Sequence, residues 1–228
     1  MDKWSTYKCI IFEVLHDGQH CILAEGGWYV VGDEFRNRVE EAFQSRVRDV
    51  ALPPAGLHEW ERAYCERVSR DHGLILFDRE RFAIPGESVP YELCDLMSPE
   101  RVLLHTKPAE KGSSSLSHLF RQGALAGELF ALEPSFRERA REYLARVAPD
   151  HVDLIPGGLI RPQNFTVMFG VIGAARRGGN FDIPFFSKVS FHHAARRLEG
   201  YGYRVDFCFI PRVEDVELGR EMRQPEAA

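Results

Sequence analysis

The sequence predicts an α/β (α+β) fold, with a mixed central sheet flanked by helices and an N-terminal βββα extension. Segments rich in β-branched and aromatic residues alternate with helical segments in the second half of the chain. Turn signals cluster near the start, where three short strands are expected. Of the 228 residues, 44% are hydrophobic and 28% are charged, which is typical of a globular protein with a full core.

The N-terminal extension covers residues 1–56 and is expected to pack on the rest of the chain. Strands are predicted at 6–15, 21–24 and 28–31, separated by Asp-Gly and Gly-Gly turns. A helix is predicted from Asp33 to about residue 50, because apolar residues recur there at helical spacing.

The core is predicted to cover residues 57–212, followed by a polar tail at 213–228. Its helices are expected at 58–71, 114–132, 134–147 and 187–199. Its strands are expected at 74–77, 91–96, 102–106, 165–174 and 203–210.

Charge is unevenly distributed along the chain. The net charge is −5, which disfavours a generally basic nucleic-acid binder. Residues 161–204 nevertheless hold seven basic and two acidic side chains, so this region is a candidate phosphate-facing surface that includes Lys188 and Arg196. A solvated charged face is the alternative interpretation.

The five cysteines are widely spaced and form no Cys-x-x-Cys pair. This pattern predicts small buried side chains in a reducing compartment rather than a zinc site or a disulfide framework. We also expect a cytoplasmic location and no membrane association, since the sequence has no apolar leader and no apolar run long enough to span a bilayer.

One constellation can carry chemistry. Asp95 lies on a predicted strand, and the next strand ends in His105-Thr106-Lys107. Alternate strand residues share a face, so His105 and Lys107 are expected to point the same way, and an antiparallel pairing brings Asp95 close to His105. Asp95, with Glu92, can hold Mg²⁺ or Mn²⁺, while His105 serves as a ligand or general base and Lys107 stabilises a phosphate.

This arrangement resembles the restriction-endonuclease-like PD-(D/E)-x-K superfamily, whose core has the order helix, three strands, helix, strand. The sequence departs from that pattern because His105 stands where the acidic residue before Lys107 is expected. Neutral imidazole is a poor ligand for Mg²⁺. Glu92 and Asp95 also differ by three positions, so a regular strand places them on opposite faces unless a bulge or an early strand end intervenes.

The helix after Lys107 carries a polar stripe. Ser114, His118 and Gln122 recur every four residues, with Ser117 beside them. Serines at a helix N-terminus also favour an anion, because backbone N–H groups and the helix dipole point at it. These four residues are predicted to bind substrate, and a simple serine cap on an amphipathic helix is the alternative.

The sequence further resembles a sporadically distributed bacterial family of uncharacterised proteins from mobile and defence-associated gene neighbourhoods. The residues that carry this resemblance are Trp28-Tyr29, 92–96, 105–107, 115–123 and 184–189. Members are typically about twice as long, and this chain is similar to their C-terminal part. The resemblance implies that the His-x-Lys spelling is the family's own pattern.

Three functions follow as expectations. The first is a metal-dependent nuclease or phosphodiesterase in bacterial defence. The second is a non-catalytic module that binds nucleic acid or a nucleotide. The third is an interaction subunit that forms a homo-oligomer or joins a partner protein, using the apolar strand at 165–174 as its interface.

Overall fold

The computed structural model describes residue 10 and residues 12–109, 112–177 and 179–214. A small antiparallel meander opens the chain, formed by β1 (Phe12–His16), β2 (Gln19–Ala24) and β3 (Gly27–Val30). Helix α1 (Asp33–Gln44) follows. The βββα extension predicted from the sequence is therefore confirmed, although residues 6–9 and 11 of the first predicted strand lie outside the described residues.

A mixed five-stranded sheet forms the centre. Its strands are β4 (Ile75–Leu76), β5 (Leu96–Met97), β6 (Val102–Pro108), β7 (Thr166–Ile172) and β8 (Arg204–Ile210). The spatial order is β8-β7-β6-β5-β4. Strand β5 is antiparallel to both of its neighbours, β4 and β6. Strand β7 is parallel to both of its neighbours, β6 and β8. The predicted α+β class is confirmed.

Four further helices cover this sheet. They are α2 (Glu61–His72), α3 (Gly112–Leu132), α4 (Pro134–Val147) and α5 (Phe185–Gly200). Two short 3₁₀ helices follow α4, at Pro149–Leu154 and Pro162–Asn164. Three pairs of two-residue strands complete the described structure: Ala55–Gly56 with Arg212–Val213, Arg81–Phe82 with Tyr91–Glu92, and Arg176–Arg177 with Asn180–Phe181.

Two hydrophobic cores lie on opposite faces of the sheet. On one face Tyr64, Cys65 and Val68 of α2 pack with even-numbered residues of β6 and β7. On the other face α3 and α5 cover a cluster of interlocking aromatic rings, which includes Phe120, Phe169, Phe191 and Phe207. Alternation along each strand thus feeds both faces with apolar side chains.

Three predicted features are wrong. Helix α1 ends at Gln44 instead of continuing to about residue 50, because the backbone at Arg46 and Arg48 exchanges hydrogen bonds with Phe207 on the open edge of β8. The predicted strand at 91–96 is split between two sheets. Strand β7 is buried along its whole length between β6 and β8, so it has no surface to offer an oligomer interface.

The cysteine prediction holds where it is described. Cys65, Cys94 and Cys208 are buried free thiols and Cys21 is half-buried; Cys9 lies outside the described residues. No helix in the described part of the chain is long and apolar enough to cross a bilayer.

Candidate functional site

A polar cavity of about 810 Å³ opens at the carboxyl end of β6, between α2 and α3. We call it the Asp95 cavity. Its wall includes Glu61, Asp95, His105, Thr106, Lys107 and Gln122. The three residues predicted to be catalytic therefore line one cavity, although they come from two strands.

Asp95 is held in place by the neighbouring strand. It stands immediately before β5, where the regular pairing with β6 ends. Its Oδ2 atom accepts a hydrogen bond from the Thr106 backbone N–H at 2.5 Å and another from the Thr106 hydroxyl at 3.2 Å. The carboxylate thus takes the role that a backbone carbonyl has elsewhere in the ladder.

Burial gives Asp95 an unusual proton affinity. The side chain is 7% exposed, and this burial raises its pKa to about 7. The hydrogen bonds from Thr106 act in the opposite direction, and the negative charges of Glu61 and Asp78 raise the pKa further. A carboxyl that titrates near neutrality in a cleft is suited to general acid–base chemistry.

Glu92 reaches the same cavity from a different sheet. It ends the hairpin strand Tyr91–Glu92, whereas Asp95 precedes β5. Glu92 and Asp95 are three positions apart, so they can share a site only if the strand ends between them. The strand does end there, and both residues line the Asp95 cavity. Glu92 accepts hydrogen bonds from Arg81 at 2.9 Å and from Gln122 at 3.0 Å.

His105 points into the hydrophobic core on the face of the sheet that α3 covers. Its ring stacks on Phe169 with centroids 5.7 Å apart, and Gly123 packs closely over both rings. Burial lowers the pKa of His105 to about 4, so its imidazole is uncharged at neutral pH. Its Nε2 atom is buried and has no hydrogen-bond partner among the described residues. A base with a pKa of about 4 is weak, so the role of general base that the sequence predicted for His105 fits Asp95 better.

Lys107 is paired with a residue that the sequence analysis did not select. Its ammonium group lies 3.0 Å from both carboxylate oxygens of Glu61, in the first turn of α2. Asp78, half-buried in the same cavity wall, was also missed. Two signals were available in the sequence. Glu61 is an acidic residue near the start of the predicted helix at 58–71, and Asp78 directly follows the predicted strand at 74–77.

The carboxylates of the cavity do not form a metal centre as they are placed. Carboxylate oxygens are the donors that Mg²⁺ and Mn²⁺ prefer. However, Glu61 is committed to Lys107, and Glu92 is committed to Arg81 and Gln122. Among the described residues no three His, Cys, Asp or Glu side chains are grouped so that they can hold an ion. The arrangement of these carboxylates therefore does not fit a bound divalent ion.

The predicted stripe on α3 lies along connected cavities. His118 and Gln122 line the Asp95 cavity, and Ser114 lines an adjoining pocket that also contains His118. Ser117 is turned towards α5, where its hydroxyl lies 3.0 Å from that of Ser190. Ser114 belongs to the first turn of α3, which begins at Gly112 instead of about residue 114, and Ser117 belongs to the second turn.

Two predicted substrate-binding residues lie elsewhere. Lys188 is 5% exposed, and its ammonium pairs with Glu40 at 2.6 Å and Asp182 at 2.8 Å. It links α5 to α1, and the separate cavity of about 470 Å³ that it lines is shared with both of its carboxylate partners. Arg196 is exposed on α5 but lines neither the Asp95 cavity nor the adjoining pocket of Ser114. Part of the positive charge of the basic region at 161–204 is thus neutralised by internal ion pairs.

Comparison with known families accounts for nearly the whole chain. The model of a family of unknown function, DUF6119, matches residues 1–211. The chain belongs to this DUF6119 family. Searches of curated proteins and of solved structures gave no match. The match confirms the expectation of an uncharacterised family, and the DUF6119 assignment spans the extension, the central sheet and the Asp95 cavity.

Proposed function

We propose that this protein acts on nucleic acid by cleaving phosphodiester bonds in the Asp95 cavity. The observation that carries the proposal is the meeting of Asp95 and Lys107 from adjacent strands in one cavity. A buried carboxyl, whose pKa is raised to about 7, lines the same cavity wall as the Lys107 ammonium and three arginines, Arg62, Arg79 and Arg81. This pairs a proton acceptor with cations that neutralise a phosphate.

The order of elements supports the proposal. Helix α2, the antiparallel strands β4, β5 and β6, helix α3 and the parallel strand β7 occur in this order along the chain, with the hairpin Arg81–Phe82 and Tyr91–Glu92 inserted between β4 and β5 and helix α4 inserted before β7. The same order of helix, three strands, helix and strand underlies the resemblance to the restriction-endonuclease-like superfamily. Asp95 precedes the second of these strands and Lys107 lies in the third, as that resemblance implies.

The residues have distinct roles in the proposed reaction. The Asp95 carboxylate accepts a proton from a water molecule as its oxygen attacks the phosphorus atom. The Lys107 ammonium stabilises the charge that develops on the phosphate. The bond from phosphorus to the leaving oxygen then breaks, and His118, which is exposed in the same cavity wall, is positioned to protonate that oxygen. Neutral His105 supports the site sterically beneath α3.

The cavity must rearrange for Lys107 to act, because its ammonium is held by Glu61. Substrate phosphate competes with the Glu61 carboxylate for the same cation. This observation favours a second candidate function, a non-catalytic nucleic-acid-binding module in which the Glu61–Lys107 pair persists. A role in bacterial defence and a partner protein belong to the same proposal and rest on the family resemblance. A cytoplasmic location is proposed because free thiols suit a reducing compartment.

A cleavage panel tests the proposal. Purified protein is incubated with single-stranded DNA, duplex DNA and RNA, each with EDTA, Mg²⁺ or Mn²⁺. We expect cleavage by the wild type and a loss of roughly 100-fold or more in Asp95→Asn and Lys107→Ala. Asp153→Asn and Arg204→Ala, which change exposed residues away from the cavity, are the matched controls and should cleave at the wild-type rate.

The panel also separates the candidates. Wild-type cleavage that persists in Asp95→Asn contradicts the assignment of the site. Binding without cleavage under every condition favours the non-catalytic module. Cleavage that requires Mg²⁺ or Mn²⁺ shows that the carboxylates regroup around an ion when substrate is present.

A further inference from the structure

Three cavities meet at one residue of α3. The Asp95 cavity shares Arg81, Glu92, His118 and Gln122 with a second cavity of about 810 Å³, which we call the α3–α5 groove. A third cavity of about 600 Å³, the Ser114 pocket, shares His118 and Arg121 with that groove. The three cavities thus adjoin one another along α3, with His118 in the wall of each, and we call them together the channel along α3.

Charge is segregated along this channel. The Asp95 cavity has four acidic and four basic side chains in its wall, so its formal charge is balanced. The α3–α5 groove has Arg81, Arg121 and Arg197 in its wall, and two of them are paired, Arg81 with Glu92 and Arg197 with Glu128. Of the described residues, Arg121 is the charged one in the wall of the Ser114 pocket. Arg121, which forms no ion pair among the described residues, is therefore the cation that the groove and the Ser114 pocket share for a phosphate, although the whole protein is negatively charged.

Each cavity also offers an aromatic ring. Trp60 stands at the Asp95 cavity with 78% of its surface exposed. Tyr91 lines the α3–α5 groove, and Phe186 lines the Ser114 pocket. Cationic walls combined with aromatic rings are the features that bind unpaired bases, since a base can stack only when it is free of its partner.

We infer that the channel along α3 binds a single strand of nucleic acid and delivers it to the Asp95 cavity. The inference rests on the proposed function and names its substrate. The Asp95 carboxyl lines a cavity of about 810 Å³, within the range of about 300–1,000 Å³ typical of pockets for small ligands. A nucleotide of a flexible single strand fits such a volume, and its unpaired base is free to stack on the aromatic rings of the walls, whereas the bases of a duplex are not.

Binding measurements test the inference directly. Fluorescence anisotropy is recorded on ice with a labelled 12-nucleotide DNA, the RNA of the same sequence and the corresponding DNA duplex, and the oligonucleotides are checked for integrity on a gel. We expect both single strands to bind at least about tenfold more tightly than the duplex, given stacking contributions of about 1–3 kcal/mol per base. The ratio between DNA and RNA then identifies the natural strand.

Two variants with matched controls locate the binding surface. Trp60→Ala should weaken single-strand binding about tenfold. Arg121→Ala should weaken it by a smaller factor and reduce the salt dependence by about one phosphate contact. Trp28→Ala, an exposed tryptophan of the meander, and Arg204→Ala should bind like the wild type. Thermal unfolding of each variant confirms that it is folded.

The outcomes distinguish this inference from the proposed function. A duplex that binds as tightly as the single strands, or Trp60→Ala and Arg121→Ala variants with wild-type affinity, overturns the channel. Single-strand binding without any cleavage leaves the channel standing and overturns the catalytic proposal. Cleavage of duplex DNA without single-strand binding overturns the channel and leaves the catalytic proposal standing.

Discussion

The side chain of Asp95 accepts both the backbone N–H and the hydroxyl of Thr106, at 2.5 Å and 3.2 Å. These bonds fix the carboxyl at the mouth of the gap between β5 and β6. They also partly offset the burial that makes its charged form costly.

The stability of the protein should therefore respond to Asp95. Its pKa is raised from the ordinary 3.8 to about 7 in the folded state, so the folded protein binds a proton more tightly than the unfolded chain. The contribution of Asp95 to stability is present below about pH 4 and declines as the pH rises to about 7. We expect Asp95→Asn to gain on the order of 2–4 kcal/mol relative to the wild type over this interval. Urea unfolding at a series of pH values measures the difference, and a difference that does not vary with pH contradicts the prediction.

His105 should produce the opposite dependence. Burial lowers its pKa from 6.5 to about 4, so the unfolded chain gains a proton on acidification before the folded protein does. The stabilising contribution of neutral His105 is complete above about pH 6.5 and is lost as the pH falls towards 4. His105→Gln should remove this loss, which amounts to roughly 3 kcal/mol. The same unfolding series tests it, with pH 8 as the reference, and an unchanged acid slope in the variant is the contrary result.

The packing of α3 on the sheet depends on the absence of a side chain at Gly123. A Cβ atom there would lie 2.4 Å from Phe169 Cε1 and 3.1 Å from His105 Cδ2. We expect Gly123→Ala to destabilise the protein by about 1–3 kcal/mol. Gly200→Ala is the control, because a Cβ atom there meets nothing within 4 Å, and it should stabilise by about 0.4–1 kcal/mol. Similar melting temperatures for the two variants would argue against close packing of α3 at Gly123.

Lys188 should be important for stability. Its ammonium also lies 5.1 Å above the Phe43 ring, and the side chain is buried between its two carboxylate partners. We expect Lys188→Ala to cost about 3 kcal/mol of unfolding free energy, since it leaves Glu40 and Asp182 without their cation. Arg36→Ala, which breaks a surface pair with Asp33, should cost less than about 1 kcal/mol. An equal loss of unfolding free energy in the two variants would show that the ion pairs of Lys188 do not stabilise the fold.

Local sequence signals predicted the helices of the core well. The bounds of α4 agree with the prediction because Pro134 starts the helix and the apolar period continues to Val147. Gly73 ends α2 in the left-handed conformation that favours glycine. The end of α1 was not predictable in the same way, because it depends on the edge of a strand more than 150 residues later in the chain.

The sequence by itself determined the α+β class, the βββα extension and the presence of Asp95, His105 and Lys107 around one region, because periodicity and strand alternation are local properties. Only the tertiary structure decided which partners these residues have. Glu61 beside Lys107, Phe169 beneath His105 and Glu40 beside Lys188 are distant in sequence. Burial and pairing depend on such long-range contacts, so the uncharged state of His105, the raised pKa of Asp95 and the internal role of Lys188 emerge only when the chain is folded.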